Sequence, residues 1–256
     1  MVTYLLKKSY QYKDLKEVKF RDLWNSHGVF TTMWIFDKPP RILFFKKHIK
    51  NLIKSTKKYK IYNKKIEKDI LKIIKVNLKK NFKYNHLLRI AINSKTISIS
   101  LRKRIKPKIK FNIELVNYQR IKPEFKNLKY KKILNHLSQM NTSTSDIALC
   151  VKRKILESGT SNILFVKNNK IYSPVDKFYK GITFNFFEKK LGRIIKKDIF
   201  TKSLKDYEEI ILIGSGKGVA SVGSINQIKW KRKSLKFYKI LSNFYKSEIL
   251  KCSIIR

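Results

Sequence analysis

Apolar side chains recur at two different spacings in this sequence, and the alternation between them outlines the fold. Val29 to Phe36 (VFTTMWIF) is a β-branched and aromatic run that stops at Asp37-Lys38-Pro39-Pro40, a turn signal. Arg41 to Phe45 then resumes as strand, which predicts a hairpin. From His48 the spacing lengthens, with Ile49, Leu52, Ile53 and then Tyr59 recurring at near-helical spacing, and a second helix is predicted over Lys65 to Val76 from Ile66, Ile70, Leu71, Ile73 and Ile74. Two strands follow, Leu87 to Asn93 and Thr96 to Leu101, divided by a polar Asn93-Ser94-Lys95 turn, and the charged, proline-bearing stretch Arg102 to Lys110 reads as an exposed edge.

After a strand at Phe111 to Val116, the polar segment 117–129, which contains Pro123, is the best candidate for a connection between two lobes. The second half begins with a helix from about Tyr130 to Met140. Strands are predicted at Ile147 to Val151, Asn162 to Val166 and Lys170 to Tyr172, then a helix from about Phe184 to Leu191. A strand at Glu209 to Ile213 enters a glycine-rich turn, and a last helix spans about Leu235 to Leu250. The fold class is mixed α and β, with lobes at 1–116 and 130–256.

Composition narrows the class of function. At 256 residues and 43% hydrophobic content, the chain can fill a real core. No run approaches the roughly 18 apolar residues that a membrane span needs, so the expectation is a cytoplasmic, unprocessed protein with no membrane contact. Cys150 and Cys252 sit in neither a CxxC nor a Cys/His cluster, so no metal site is expected. Sixty-one Lys and Arg against 17 Asp and Glu give a formal net charge of +44, which raises the possibility of a nucleic-acid partner. The lysines, however, are spread through every segment rather than gathered on one arm or helix, so no specific nucleic-acid binding is expected, only adhesion to polyanions at low salt.

Two motifs carry chemistry. In Ile210 to Ser221 (IILIGSGKGVAS) a strand feeds a GxGxG turn whose backbone N–H groups could face an anion; it lacks the Walker spacing, and a plain tight turn is the competing reading. In Leu156-Glu157-Ser158-Gly159-Thr160-Ser161-Asn162-Ile163-Leu164-Phe165 an acid precedes small polar residues and an apolar strand. This second segment resembles the E-[GS]-x-x-S-N-[ILV]-F signature of the class IV pyridoxal-phosphate enzymes, the family of branched-chain and D-amino-acid aminotransferases and aminodeoxychorismate lyase. Downstream, Ser173-Pro174, Gly181-Ile182-Thr183, the acidic pair Glu208-Glu209 and Gly214-Ser215-Gly216 follow in the family's order. Upstream, Lys132-Ile133-Leu134-Asn135-His136-Leu137 is similar to the family's K-x-L-N-x-L element, while His27-Gly28-Val29-Phe30-Thr31-Thr32 and His48-Ile49-Lys50-Asn51-Leu52 resemble D-G-x-F-T-T and H-x-x-R-L.

The resemblance implies a smaller N-terminal α/β lobe, a larger C-terminal lobe, a homodimer and bound pyridoxal 5'-phosphate. It makes Lys132 the lysine that condenses with the cofactor aldehyde and later serves as general base and acid at the substrate carbon. Glu157 is the carboxylate facing the pyridine nitrogen, and Asn162, Ile182, Thr183, Ser215 and Gly216 are cofactor-binding. Without the SGTSN that follows, Glu157 would read as a solvated strand-end acid. The chain departs from the family where Asn51 replaces the phosphate-gripping arginine and Phe184 replaces the arginine of G-I-T-R; Lys217 or Lys50 is the expected source of the missing charge. The substrate is a small amino compound, and the reaction is expected to be pyruvate elimination from 4-amino-4-deoxychorismate in folate synthesis, with branched-chain or D-amino-acid transamination as the alternative. A scaffold that has lost its chemistry and binds polyanions is the reading from another class.

Overall fold

Strand β1 (Tyr4–Gln11) opens the computed structural model, which describes residues 3–254. It is followed by β2 (Glu17–Val18), β3 (Gly28–Asp37), β4 (Arg41–Ile42), helices α1 (Phe45–Lys58) and α2 (Ile66–Asn77), then β5 (Tyr84–Asn93) and β6 (Thr96–Lys103). The strands form one antiparallel sheet in the order β2-β1-β6-β5-β3-β4. Its longest ladder pairs β3 with β5 from Gly28↔Asn93 to Asp37↔Tyr84. Gly28 is required there, because a Cβ would collide with the Ile92 carbonyl oxygen.

The helices cover this sheet through the apolar positions that their spacing predicts. Ile49 and Leu52 of α1 and Ile66, Ile70, Ile73 and Ile74 of α2 share a core with Met33, Ile35, Leu88, Ile90, Ile97 and Ile99. Each buried Leu or Ile contributes about 1.5–3 kcal/mol relative to exposure. Strand Arg41 to Phe45 is shorter than expected: after Ile42 the chain turns, with Phe44 at φ 58°, and α1 begins at Phe45. Strand β1 is an element that the sequence reading lacks. Its lysines Lys7 and Lys8 mask the strand, although pairing with β6 holds it from Tyr4↔Arg102 to Gln11↔Thr96.

A second compact unit comprises residues 105–124 and 132–250, whereas 125–131 and 251–254 group with 3–104. It contains β7 (Asn112–Asn117), most of α3 (Lys131–Ser138), β8 (Ser145–Val151), β9 (Lys154–Ser158), β10 (Asn162–Lys167), β11 (Lys170–Ser173), α4 (Ile182–Leu191), β12 (Ile195–Lys196), β13 (Ile199–Phe200), β14 (Glu209–Gly214), β15 (Gly218–Ser221), β16 (Ser224–Ile225), β17 (Trp230–Lys231) and α5 (Lys236–Leu250). Two sheets, β12-β11-β10-β14-β15 and β13-β9-β8-β7-β16-β17, share a core that includes Phe111, Ile113, Ile155, Phe165, Leu212 and Trp230. Residues 105–116, expected in the first lobe, fold with the second unit because β7 pairs in parallel with β8 from Asn112↔Ser145 to Asn117↔Cys150. The expected connection 117–129 is accordingly divided between the units at 124/125.

Candidate active site

Four short stretches of the second unit carry the polar groups expected to act together: Lys132 in α3, the end of β9 and start of β10, the entry to α4 and the β14–β15 turn. Sheet pairing sets two of these side by side. Asn162 lies opposite Ile213 across β10 and β14, and a Cβ on Gly214 would come within 3.1 Å of Ser161 Oγ.

Glu157 stands in β9 opposite Leu149 of β8, whose other neighbour in the row is Val116 of β7. Just beyond β7, Arg120 meets it. Its Nε donates to Glu157 Oε1 at 2.6 Å and its Nη2 to Oε2 at 3.1 Å, while Nη2 also donates to the Pro123 carbonyl at 2.7 Å. The two side chains are 4% and 7% exposed, so Glu157 is no solvated strand-end acid. Oε2 also accepts the Tyr179 N–H at 3.3 Å. Burying a carboxylate costs several kcal/mol unless a cation and hydrogen bonds compensate, and the planar fork of arginine does so bidentately.

Lys132 is the second residue of α3. It is exposed, and its Nζ lies 4.7 Å from the centre of the Tyr118 ring. Tyr118 is fixed by its own N–H, which donates to the Cys150 carbonyl. The 118–120 segment therefore touches both the candidate lysine and, through Arg120, the candidate ring acid.

The entry to α4 has the character of an anion cradle. Gly181 is extended at the N-cap with no side-chain cap, so the first-turn N–H groups, those of Ile182 and Thr183 among them, lack intrahelical partners at the positive end of the helix dipole. Thr183 is buried, and its Oγ1 lies 3.5 Å from Ser215 Oγ in the β14–β15 turn. Two of the expected phosphate positions thus converge. Asn162 performs a mechanical task beside them: its Nδ2 donates to the Tyr179 carbonyl at 2.6 Å and its Oδ1 accepts the Gly181 N–H at 3.1 Å, which fixes the loop entering α4. A Cβ on Gly181 would press on that Oδ1 at 2.8 Å.

Lys217 turns toward buried Asp146, with its Nζ 3.4 Å from Asp146 Oδ2 and 4.9 Å from the centre of the Phe111 ring. In the first unit Lys50 is exposed on α1, and Asn51 is half-buried. Among the described residues no group of three His, Cys, Asp or Glu could hold a metal ion. Burial pushes the Cys150 thiol up to about 12, which keeps it protonated and unreactive.

The sequence reading missed Arg120 and Asp146. Arg120 left a trace: the chain has 10 arginines beside 51 lysines, and arginine is the residue that bidentate carboxylate geometry demands. Asp146, at the head of a strand, left none.

A family model described as amino-transferase class IV matches residues 28–225. No curated protein matches the chain. Among solved structures, a branched-chain aminotransferase from Thermoproteus uzoniensis superposes with TM-score 0.75 at 17% identity, covering 95% of each chain. The branched-chain aminotransferase of Escherichia coli gives 0.73 at 15%, covering 94% of this chain and 93% of that one. A protein provisionally assigned as 4-amino-4-deoxychorismate lyase from Legionella pneumophila gives 0.68 at 18%, covering 87% and 91%. At these identities the likeness to solved structures is one of fold.

Proposed function

We propose that this chain, which belongs to the class IV aminotransferase family of pyridoxal-phosphate enzymes, eliminates pyruvate from 4-amino-4-deoxychorismate to leave 4-aminobenzoate. The observation that carries the chemistry is the buried Arg120–Glu157 pair. A carboxylate held charged in the interior is suited to a ring nitrogen that must stay protonated, and Arg120 keeps it there without solvent.

The residues present fit the cofactor. Thr183 and Ser215 hydroxyls converge beside an uncapped helix N-terminus, the donor set that a phosphate requires. Bound pyridoxal phosphate supplies an electron sink for the bond broken at the substrate carbon. Ile182, Thr183, Ser215 and Gly216 would hold the phosphate, with Asn162 fixing the loop that presents the first two. Lys132 is the covalent anchor and moves a proton at its Nζ to and from the substrate.

Elimination is preferred to transamination on the Lys132-Ile133-Leu134-Asn135 and Phe30-Thr31-Thr32 elements. A homodimer in the cytoplasm, serving folate synthesis, completes the reading. The test is a visible spectrum of the purified protein with added pyridoxal phosphate, beside Lys132→Ala. A band of the lysine-linked cofactor is expected in the parent and lost in the variant; its absence from both would return the chain to the polyanion-binding reading. The loaded protein is then given aminodeoxychorismate, or branched-chain and D-amino acids with 2-oxoglutarate. Release of 4-aminobenzoate is expected, and turnover of the amino acids alone would identify a transaminase.

A further inference from the structure

Around Asp146 the structure gathers more donors than a strand residue needs. Asp146 is fully buried; its Oδ1 accepts the Ile147 N–H at 2.8 Å, and its Oδ2 accepts Ser158 Oγ and Thr160 Oγ1, both at 2.8 Å, with Lys217 Nζ at 3.4 Å. The two hydroxyls belong to the turn that follows Glu157. The ammonium belongs to the turn that contains Ser215 and Gly216. One carboxylate thus ties the end of β9 and the turn just after the ring acid to the turn bearing the phosphate donors.

We propose that the Asp146–Lys217 pair is a clamp that fixes the phosphate turn against the Glu157 turn, which makes both side chains positioning residues for the cofactor. The inference rests on the cofactor reading given above. Its physical basis is the freedom of the turn: Gly214, Gly216 and Gly218 surround Lys217, and Gly218 sits at φ 74°, so the backbone is permissive where a phosphate requires fixed donors. A buried ion pair is a poor source of net stability, since apolar side chains of like volume do as well, but it sets one geometry among several. The clamp also gives Lys217 a role other than the expected one, in which its ammonium meets the phosphate directly.

The two roles predict opposite signs for one variant. If Asp146 positions the turn, Asp146→Asn weakens pyridoxal phosphate binding; if Asp146 merely detains a phosphate-seeking lysine, the same change leaves binding equal or tighter. The apparent Kd for pyridoxal phosphate is measured by fluorescence for the parent, Asp146→Asn, Lys217→Met, the double variant and Lys217→Arg. Expected are losses of about tenfold for each single change, the scale on which orienting partners act. The double variant should lose little more than either single one, and Lys217→Arg should recover most of the affinity. Hydrogen exchange without cofactor provides a second readout, in which the 215–218 amides exchange faster in both single variants. If Asp146→Asn does not fold, Lys217→Met, which leaves Asp146 its three hydrogen bonds, decides with Lys217→Arg. Unchanged exchange, or equal or tighter binding by Asp146→Asn, overturns the clamp. A parent that binds no cofactor overturns the functional reading, while the exchange data still decide whether the clamp exists.

Discussion

Replacing Arg120 by Met would strip the cation from beside a carboxylate that has 7% of its surface exposed. Breaking a buried pair from one side costs about 3–5 kcal/mol, because the surviving charge has lost its compensation. Arg120→Met should therefore unfold at markedly lower urea, and Arg120→Lys should fall between it and the parent, since an ammonium cannot reproduce the two-pronged geometry. Equal midpoints for parent and Arg120→Met would show that Glu157 does not depend on this arginine. The pair also marks the limit of what could be read from the sequence. Glu157 was legible because SGTSN follows it at fixed spacing. Arg120 lies 37 residues away, and the contact is made by the β7–β8–β9 ladder, which a one-dimensional spacing does not encode.

At the level of elements, α1 docks on β3 through a buried histidine. His48 Nδ1 lies 2.8 Å from Thr31 Oγ1, and burial, helped by the charge of Lys126, lowers its pKa from 6.5 to about 3. The unfolded chain takes up this proton near pH 6.5 and the folded chain does not until about pH 3. His48 thus contributes stability that is complete above pH 6.5 and is lost as the pH falls toward 3. His48→Asn can keep a partner for Thr31 but does not titrate in this window. The difference in unfolding free energy between parent and variant should shrink by up to about 1.4 kcal/mol per pH unit below 6.5. Parallel curves from pH 7 to 4 in urea titrations would contradict the buried neutral state. The helices were legible because one face of each is apolar, and the β3–β5 pair because its strands are near-continuous runs of apolar, β-branched and aromatic residues. Strands β1 and β9 were not, since Lys7-Lys8 and Lys152-Arg153-Lys154 interrupt the alternation that would mark them, and lysine can keep its stem on a sheet while its charge reaches water.

The charge of the whole chain acts on the fold and on the cofactor in opposite directions. At a formal +44 the compact state repels itself, and α1 shows this locally: Lys46, Lys47, Lys50, Lys54, Lys57 and Lys58 are all exposed on a helix that carries no acid. Screening shortens the reach of that repulsion from about 30 Å at 0.01 M salt to about 8 Å at 0.15 M. The melting temperature of the cofactor-free protein should therefore rise as NaCl increases from low to physiological strength. Pyridoxal phosphate is an anion drawn to the same positive field, so its affinity should fall over the same range. Heparin or duplex RNA should also be released by about 0.5 M NaCl if the charge merely attracts polyanions without recognising them. Polyanion binding that survives this salt, in a protein that retains no pyridoxal phosphate, would mean that the lysine-rich surface is the function and the class IV site its ancestry. A melting temperature that rises with salt while cofactor affinity falls would make the charge a burden that the folded enzyme tolerates.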